Sequence, residues 1–245
     1  MTTVSTIEEQ LRFYIELLRP HLRKTLLDAG CGRGRTLALA QDVFPSAVLY
    51  GVDINPRALV STAGENLQLA VADLRWLPFA ASSFGAVFSR DVLECVPYPL
   101  EALRELIRVV SPGSVLLLCH WDWDTQVFNV PDLALARKLV TTFADTQQGW
   151  MEHFDPAMGR KLLGLLRTVD ELEILDSGVV VLMEADWTEG RFGYEQSQLM
   201  AQLLLERGKI DSSEGARWLD LLRGAQAQRQ YLYTINHYWC LARRR

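Results

Sequence analysis

The chain has 245 residues, 49% hydrophobic and 22% charged, enough apolar material for one sizeable core or one domain with a cap. Its net charge of −5 argues against a general affinity for nucleic acid. No apolar stretch approaches the ~18 residues of a membrane span, and the first residues lack the basic-then-apolar order of a signal peptide. The four cysteines, Cys31, Cys95, Cys119 and Cys240, stand singly without paired metal spacing, so they read as reduced thiols of a cytoplasmic protein with no metal site.

In chain order, Ile7 to Leu18 has helical apolar spacing and stops before Pro20, predicting a helix within residues 1–20. Thr25-Leu26-Leu27-Asp28-Ala29 reads as a buried strand that runs into Gly30-Cys31-Gly32-Arg33-Gly34. Glycines at alternate positions let the backbone turn sharply and approach a ligand, and a helix starting at Thr36 aims its amides at the turn. Dinucleotide folds place the third glycine one position later, where this chain has Arg35, so the nicotinamide fingerprint fails. A second apolar run ends at Asp53, about 20 residues on, where open α/β sheets place a carboxylate for the ribose hydroxyls. Pro56 suits the first position of the next helix. Leu69 to Leu74 and, past Leu77-Pro78-Phe79, Ser82 to Phe88 give two further strands. Pro99 to Val110 gives an amphipathic helix ended by Ser111-Pro112-Gly113, and Val115 to Cys119 gives a fifth strand. Such alternation predicts an α/β fold with a parallel sheet, right-handed crossovers and ligands at the carboxyl ends of the strands.

Asp28 followed by Gly30, Gly32 and Gly34, then Asp53, Asp73 and the Ser89 to Val96 segment in register, resembles the class I S-adenosylmethionine-dependent methyltransferases, in their small-molecule branch. The resemblance covers roughly Thr25 to Cys119. It implies a Rossmann-like sheet of seven mostly parallel strands with an antiparallel last strand, helices on both faces, and a helical lid inserted after strand 5. It also implies S-adenosylmethionine as cofactor and S-adenosylhomocysteine as product. Asp28 then sits near the methionine end, and the glycine backbone with Cys31 passes under the ribose and methionine. Ile54 flanks the adenine, and Asp73, between Ala72 and Leu74, accepts from the adenine amino group. Arg90 is a further cofactor candidate, with a surface pair to Asp91 as the alternative. Many relatives carry His where this chain has Cys95. An aromatic residue of the first helix often closes the site, which nominates Tyr14, with core packing as its alternative.

After the fifth strand comes His120-Trp121-Asp122-Trp123-Asp124-Thr125, at the edge where an acceptor should meet the methyl group. Aromatic faces with a carboxylate suit a cationic amine, and Gln148 to Phe154 and Glu184 to Trp187 repeat the mixture. Trp121, Trp123, Trp150 and His153 are therefore candidate substrate contacts, unless the tryptophans only anchor the cap. His120 and Asp124 are the candidate bases, with His153 and Glu152 behind them; His120 leads because it begins the loop leaving the strand. Helices at 133–144 and 156–166 are expected to form the lid. Residues 171–187 and 230–242 hold the last two strands, and 121–170 and 188–229 the substrate cap. One domain spans 1–245, with 25–120 as the cofactor-binding core. The expected function is in-line methyl transfer to a small molecule, with amine nitrogen ahead of oxygen or carbon of an apolar metabolite. The other classes are a non-catalytic cofactor-binding regulator and an NAD-dependent oxidoreductase. The sequence leaves the acceptor and the oligomeric state open.

Overall fold

The apolar runs form strands, and the amphipathic stretches between them form the helices that carry the chain from one strand to the next. The computed structural model describes residues 1–59 and 66–245. Its elements are β1 (Thr2–Val4), α1 (Ile7–Leu18), β2 (Thr25–Ala29), α2 (Arg35–Val43), β3 (Val48–Asp53), α3 (Pro56–Leu59), β4 (Leu67–Val71), β5 (Phe84–Arg90), a 3-10 turn at Leu93–Cys95, α4 (Pro99–Val109), β6 (Val110–Phe128), α5 (Leu133–Ala144), α6 (Met158–Leu166), β7 (Leu172–Glu184), α7 (Phe192–Glu206), α8 (Ser212–Ala227) and β8 (Tyr233–Arg244).

The described strands form one sheet in the order β1-β7-β8-β6-β5-β2-β3-β4. From β4 through β6 the neighbours run parallel, whereas β8 is antiparallel to both β6 and β7. After β2 the chain moves outward to β3 and β4, then returns to add β5 on the other side of β2. The carboxyl ends of β2 and β5 therefore diverge at a topological switch point, where such sheets bind ligands. The eighth strand is an addition to the seven expected: β1 pairs in parallel with β7, with Thr2 opposite Val180 and Val4 opposite Leu182. Three residues are too few to show a period.

A larger difference concerns β6. Its apolar core, Val115 to Cys119, is as expected, but the strand continues through Trp121 and Asp122, paired residue by residue with β8 as far as Asp122 opposite Asn236, and resumes after an irregularity at Val127 opposite Thr234. His120 to Asp122 is therefore strand, not the start of a loop. Strand alternation sends Val115, Leu117, Cys119, Trp121 and Trp123 into one core with α1, α5, α7 and α8, and Leu116 and Leu118 into a second core with α4 and α6.

The expected lid of two helices divides along this boundary. α5 packs with α7 and α8 as a cap on the first face, and Trp218 of α8 donates its indole N–H to the Ser197 carbonyl of α7 at 3.2 Å. α6 lies on the second face as a layer helix, with Met158, Leu162 and Leu166 in that core. Gly159 permits this: a Cβ there would lie 2.8 Å from the carbonyl oxygens of both His120 and Trp121. One residue on, Arg160 grips the Asp122 carboxylate through two hydrogen bonds and reaches Asp124 at 3.2 Å. The Asp122 side chain is fully buried, whereas Arg160 is about half exposed at 46%. Removing the guanidinium leaves a buried carboxylate without a partner, which costs several kcal/mol in a fully enclosed pair and less where water reaches the cation. Arg160→Met should therefore lower unfolding stability by about 1–3 kcal/mol in urea denaturation, and adding Asp122→Asn should recover most of the loss.

Candidate active site

The site grows from the end of β2. Gly30, Gly32 and Gly34 all have left-handed φ, at +84°, +52° and +72°, a conformation that side chains with a Cβ resist. The amides of Gly30 and Cys31 donate to the Val52 carbonyl at 2.8 and 2.9 Å, and the Gly32 amide donates to Asp53 Oδ2 at 2.8 Å. Asp53 Oδ1 meanwhile accepts from the Asn55 amide at 2.9 Å. This carboxylate fixes the turn while each oxygen keeps a lone pair for a further donor. A Cβ at Gly30 would strike Val92 Cγ2 at 2.1 Å, whereas one at Gly32 would meet nothing within 4 Å. Val92 of the post-β5 segment thus packs against the turn, and the space above Gly32 is open. Beneath it, Asp28 is buried with Oδ2 unpaired, and burial pushes its carboxyl up to about 7.

On the adenine side Ile54 is 64% exposed, a free apolar surface at the strand edge, and Ala72 is half-buried beside it in sequence register. The side chains of Leu74 and Cys31 are buried in the cores, which leaves only their backbones to face a ligand. Asp73 does not wait unpaired: Arg75 binds both its oxygens, with Nη2 to Oδ2 at 2.7 Å, and extends to Glu152 at 3.0 Å. This chain of charges ties the segment before α6 to the adenine side. The guanidinium hydrogen bonds hold Asp73 below the usual carboxylate range.

At the end of β5, Arg90 pairs with Asp91 at 3.2 Å and contacts Gln10 Oε1 of α1 at 3.4 Å. The partner of Arg90 is thus Asp91, and the pair is largely enclosed rather than on the surface. Asp91 has φ +58°, a strained value for a non-glycine. Its Oδ1 accepts from His237 Nε2 at 2.9 Å and from the Trp121 amide at 3.2 Å. His237 Nδ1 lies 2.5 Å from Tyr14 Oη. Burial pushes the Asp91 carboxyl up, but His237 and Arg90 more than offset this and hold it below its ordinary range; burial also pushes His237 down to about 4. The neutral imidazole therefore donates from Nε2 to Asp91 and accepts the Tyr14 hydroxyl at Nδ1. Tyr14 is completely buried, packed in the core against Phe88 and His237. Sequence reasoning missed His237, although a signal was present: Tyr233, Ile235, His237, Trp239 and Leu241 alternate on the buried face of β8, and a histidine in such a row needs a partner.

The aromatic and acidic stretch on β6 is not one pocket. Trp121 stacks on Phe192 of α7 at 5.0 Å, and Trp123 meets Phe143 of α5 edge-on at 6.1 Å, so the tryptophans anchor the cap, the alternative kept open for them. Asp122 and Asp124 go to Arg160 on the opposite face. The cation that the pattern suggested is the protein's own, which removes Asp124 as a free base. His120 is fully buried with neither ring nitrogen hydrogen-bonded; Nδ1 lies 3.7 Å from Glu94 Oε2. Burial pushes His120 down to about 4 and raises Glu94. Trp150 is 70% exposed and hydrogen-bonded to Gln148. His153 is also exposed, with its amide on the Cys95 carbonyl at 3.2 Å. Neither contributes a side chain to the Tyr14–His237–Asp91 group. A separate cavity of about 800 Å³, lined by Val130, Pro131, Arg217 and Leu221 among others, opens in the cap and includes none of the glycine-turn residues.

The unpaired oxygen of Asp28, the open floor over Gly32 and the spare lone pairs of Asp53 fit a ligand with an ammonium group at one end and a ribose at the other, as S-adenosylmethionine has. Residues 27–118 match the model of the family described as "Methyltransferase domain". The malonyl-[acyl-carrier protein] O-methyltransferase of Herminiimonas arsenicoxydans is 32% identical over 115 residues, 46% of this chain and 44% of that protein. The ubiquinone/menaquinone biosynthesis C-methyltransferase UbiE of Ectopseudomonas mendocina is 31% identical over 154 residues, 55% of this chain and 59% of its own. The chain thus spans about half the length of these curated relatives. In fold it is similar to a putative methyltransferase from Bacillus halodurans, with a TM-score of 0.60 at 14% identity, covering 97% of this chain and 98% of that one. No described helix is long and apolar enough to cross a membrane. Residues 27–118 are therefore similar to the methyltransferase domain family, and the fold around them is that of solved methyltransferases.

Proposed function

We propose that this chain methylates a small-molecule acceptor held between the Tyr14–His237–Asp91 group and the cap of α5, α7 and α8, with oxygen as the acceptor atom. The observation that carries the cofactor half of this reading is the Asp53 carboxylate bonded to the Gly32 amide beneath open space. When bound, the cofactor supplies an electrophilic methyl on a sulfonium sulfur, transferred by direct displacement, so the protein's work is positioning, water exclusion and removal of the acceptor's proton. Asp53 holds the ribose hydroxyls, Ile54 flanks the adenine, and Asp28 faces the ammonium. Oxygen is favoured over the amine first expected because the carboxylates meant to receive an ammonium are both already engaged by Arg160. The Tyr14–His237–Asp91 line offers a proton route: Tyr14 Oη takes the proton of an acceptor hydroxyl as its own passes to His237 Nδ1, and Asp91 stabilises the imidazolium. An acceptor carboxylate needs no such step. The unpaired cysteines suit a reducing, cytoplasmic location.

Three experiments test this reading. Gly32→Ala meets no neighbour and pays only the left-handed φ, about 1–2 kcal/mol of stability, yet it fills the cofactor's floor. Calorimetric titration with S-adenosylhomocysteine should show affinity reduced at least ~10-fold, about 1.4 kcal/mol. The raised Asp28 carboxyl sets a pH dependence. An acid raised from 3.8 to about 7 in the fold is protonated there while the unfolded chain is ionised, so stability falls as pH rises through that window and is level above it. An ammonium ligand favours the ionised form, so affinity should rise about tenfold from pH 6 to pH 8 and stay flat in Asp28→Asn. Incubation with methyl-labelled S-adenosylmethionine and fractionated extract, read by mass spectrometry, should yield an O-methylated small molecule; a product labelled on an amine contradicts the oxygen assignment.

A further inference from the structure

Two neighbouring side chains in the interior lack what buried polar groups require. His120 is completely buried, and both ring nitrogens are without a hydrogen-bond partner. Glu94, 2% exposed, has only the Trp123 indole N–H, shared between its two oxygens at 3.3 Å each. Buried polar groups are paired in almost every folded protein, and an unpaired one points to strain, catalysis, or an ion or water at that place. The two face each other across 3.7 Å, from His120 Nδ1 to Glu94 Oε2. One ligand atom each from Asp91, Glu94 and His120 all lie within 4.8 Å of one another.

We propose that Asp91, Glu94 and His120 bind a divalent transition-metal ion, of the class of zinc, manganese or ferrous iron. One imidazole and two carboxylates form a mixed nitrogen–oxygen set that suits these ions, whereas magnesium and calcium prefer oxygen alone. With bonds of about 2.1 Å, two ligands of one ion lie at most about 4.2 Å apart. The His120–Glu94 gap already meets this, and Asp91 needs to close by about half an ångström. Asp91 has one lone pair left, on Oδ2, beyond those given to Arg90, His237 and Trp121. Local charge suits a cation: the carboxyl groups of Asp91, Glu94 and Asp155 are gathered there with Arg90 and Lys161 as their basic neighbours. The backbone is set for the ligands on both sides, since β6 carries His120 and the 3-10 turn carrying Glu94 is held by the Asp155 amide on the Glu94 carbonyl at 2.9 Å.

The proposal is independent of the acceptor. The full chain is stripped with a chelator and then dialysed against Zn²⁺ or Mn²⁺, and bound metal is measured by mass spectrometry beside the affinity for S-adenosylhomocysteine. The expected result is one equivalent in the wild type, with affinity at least ~10-fold weaker in Glu94→Gln and His120→Leu, unchanged in His21→Gln, and cofactor affinity retained in all. The melting temperature of the wild type should rise with metal, and that of His120→Leu should not. If nothing binds there, the wild type holds no metal and His120→Leu is as stable or more stable, because an unpaired polar group has been removed. Either that result, or metal binding that persists in both variants, overturns the proposal. Loss of cofactor affinity with metal binding intact contradicts the methyltransferase reading instead.

Discussion

The hydrogen bond from the Gly32 amide to Asp53 holds the rest of the site in place. It joins the turn after β2 to the end of β3 and is flanked by two bonds from Gly30 and Cys31 to Val52. Gly30 is the position where Val92, from the segment after β5, comes close enough to exclude any side chain. Three strand ends are therefore gathered around one left-handed turn. Gly34 is the N-cap of α2, so the helix's first amides point into the same space. The residues proposed to hold the cofactor, from Asp28 to Arg90, all lie in the N-terminal half.

In the proposed function the C-terminal half decides what meets the cofactor, through the long strand β6. Because β8 pairs along most of its length, side chains beyond Cys119 are sorted strictly by face. The tryptophans go to the cap and the aspartates to α6. At the edge between them lie two polar groups with different degrees of satisfaction. Tyr14, His237 and Asp91 are fully connected, whereas His120 and Glu94 are not. A connected buried network rigidifies a site, and an unconnected pair marks the place where a further component belongs.

Much of this was legible in the sequence wherever the cause is local. The glycine turn, the acid at Asp53, the strand ends and helix α5 are set by φ preferences, spacing and apolar period over a few residues. The pieces that were not legible depend on partners far along the chain. Arg160 lies 38 residues from Asp122, and Tyr14 lies 223 residues from His237. Strand alternation puts Trp121 and Trp123 on one side and Asp122 and Asp124 on the other. It carried no information that α6 would bring an arginine to the aspartates. β1 escaped because a three-residue strand depends on the edge it joins. α6 was assigned to the lid because its sequence shows which of its faces is apolar but not which face of the sheet receives it.

A crystal structure with S-adenosylhomocysteine tests the account most directly. The account predicts the ribose hydroxyls within hydrogen-bond distance of Asp53, the ligand chain crossing Gly32 and its ammonium facing Asp28. A ligand bound elsewhere, such as in the cap cavity beside Pro131 and Arg217, with the glycine turn empty, would contradict it.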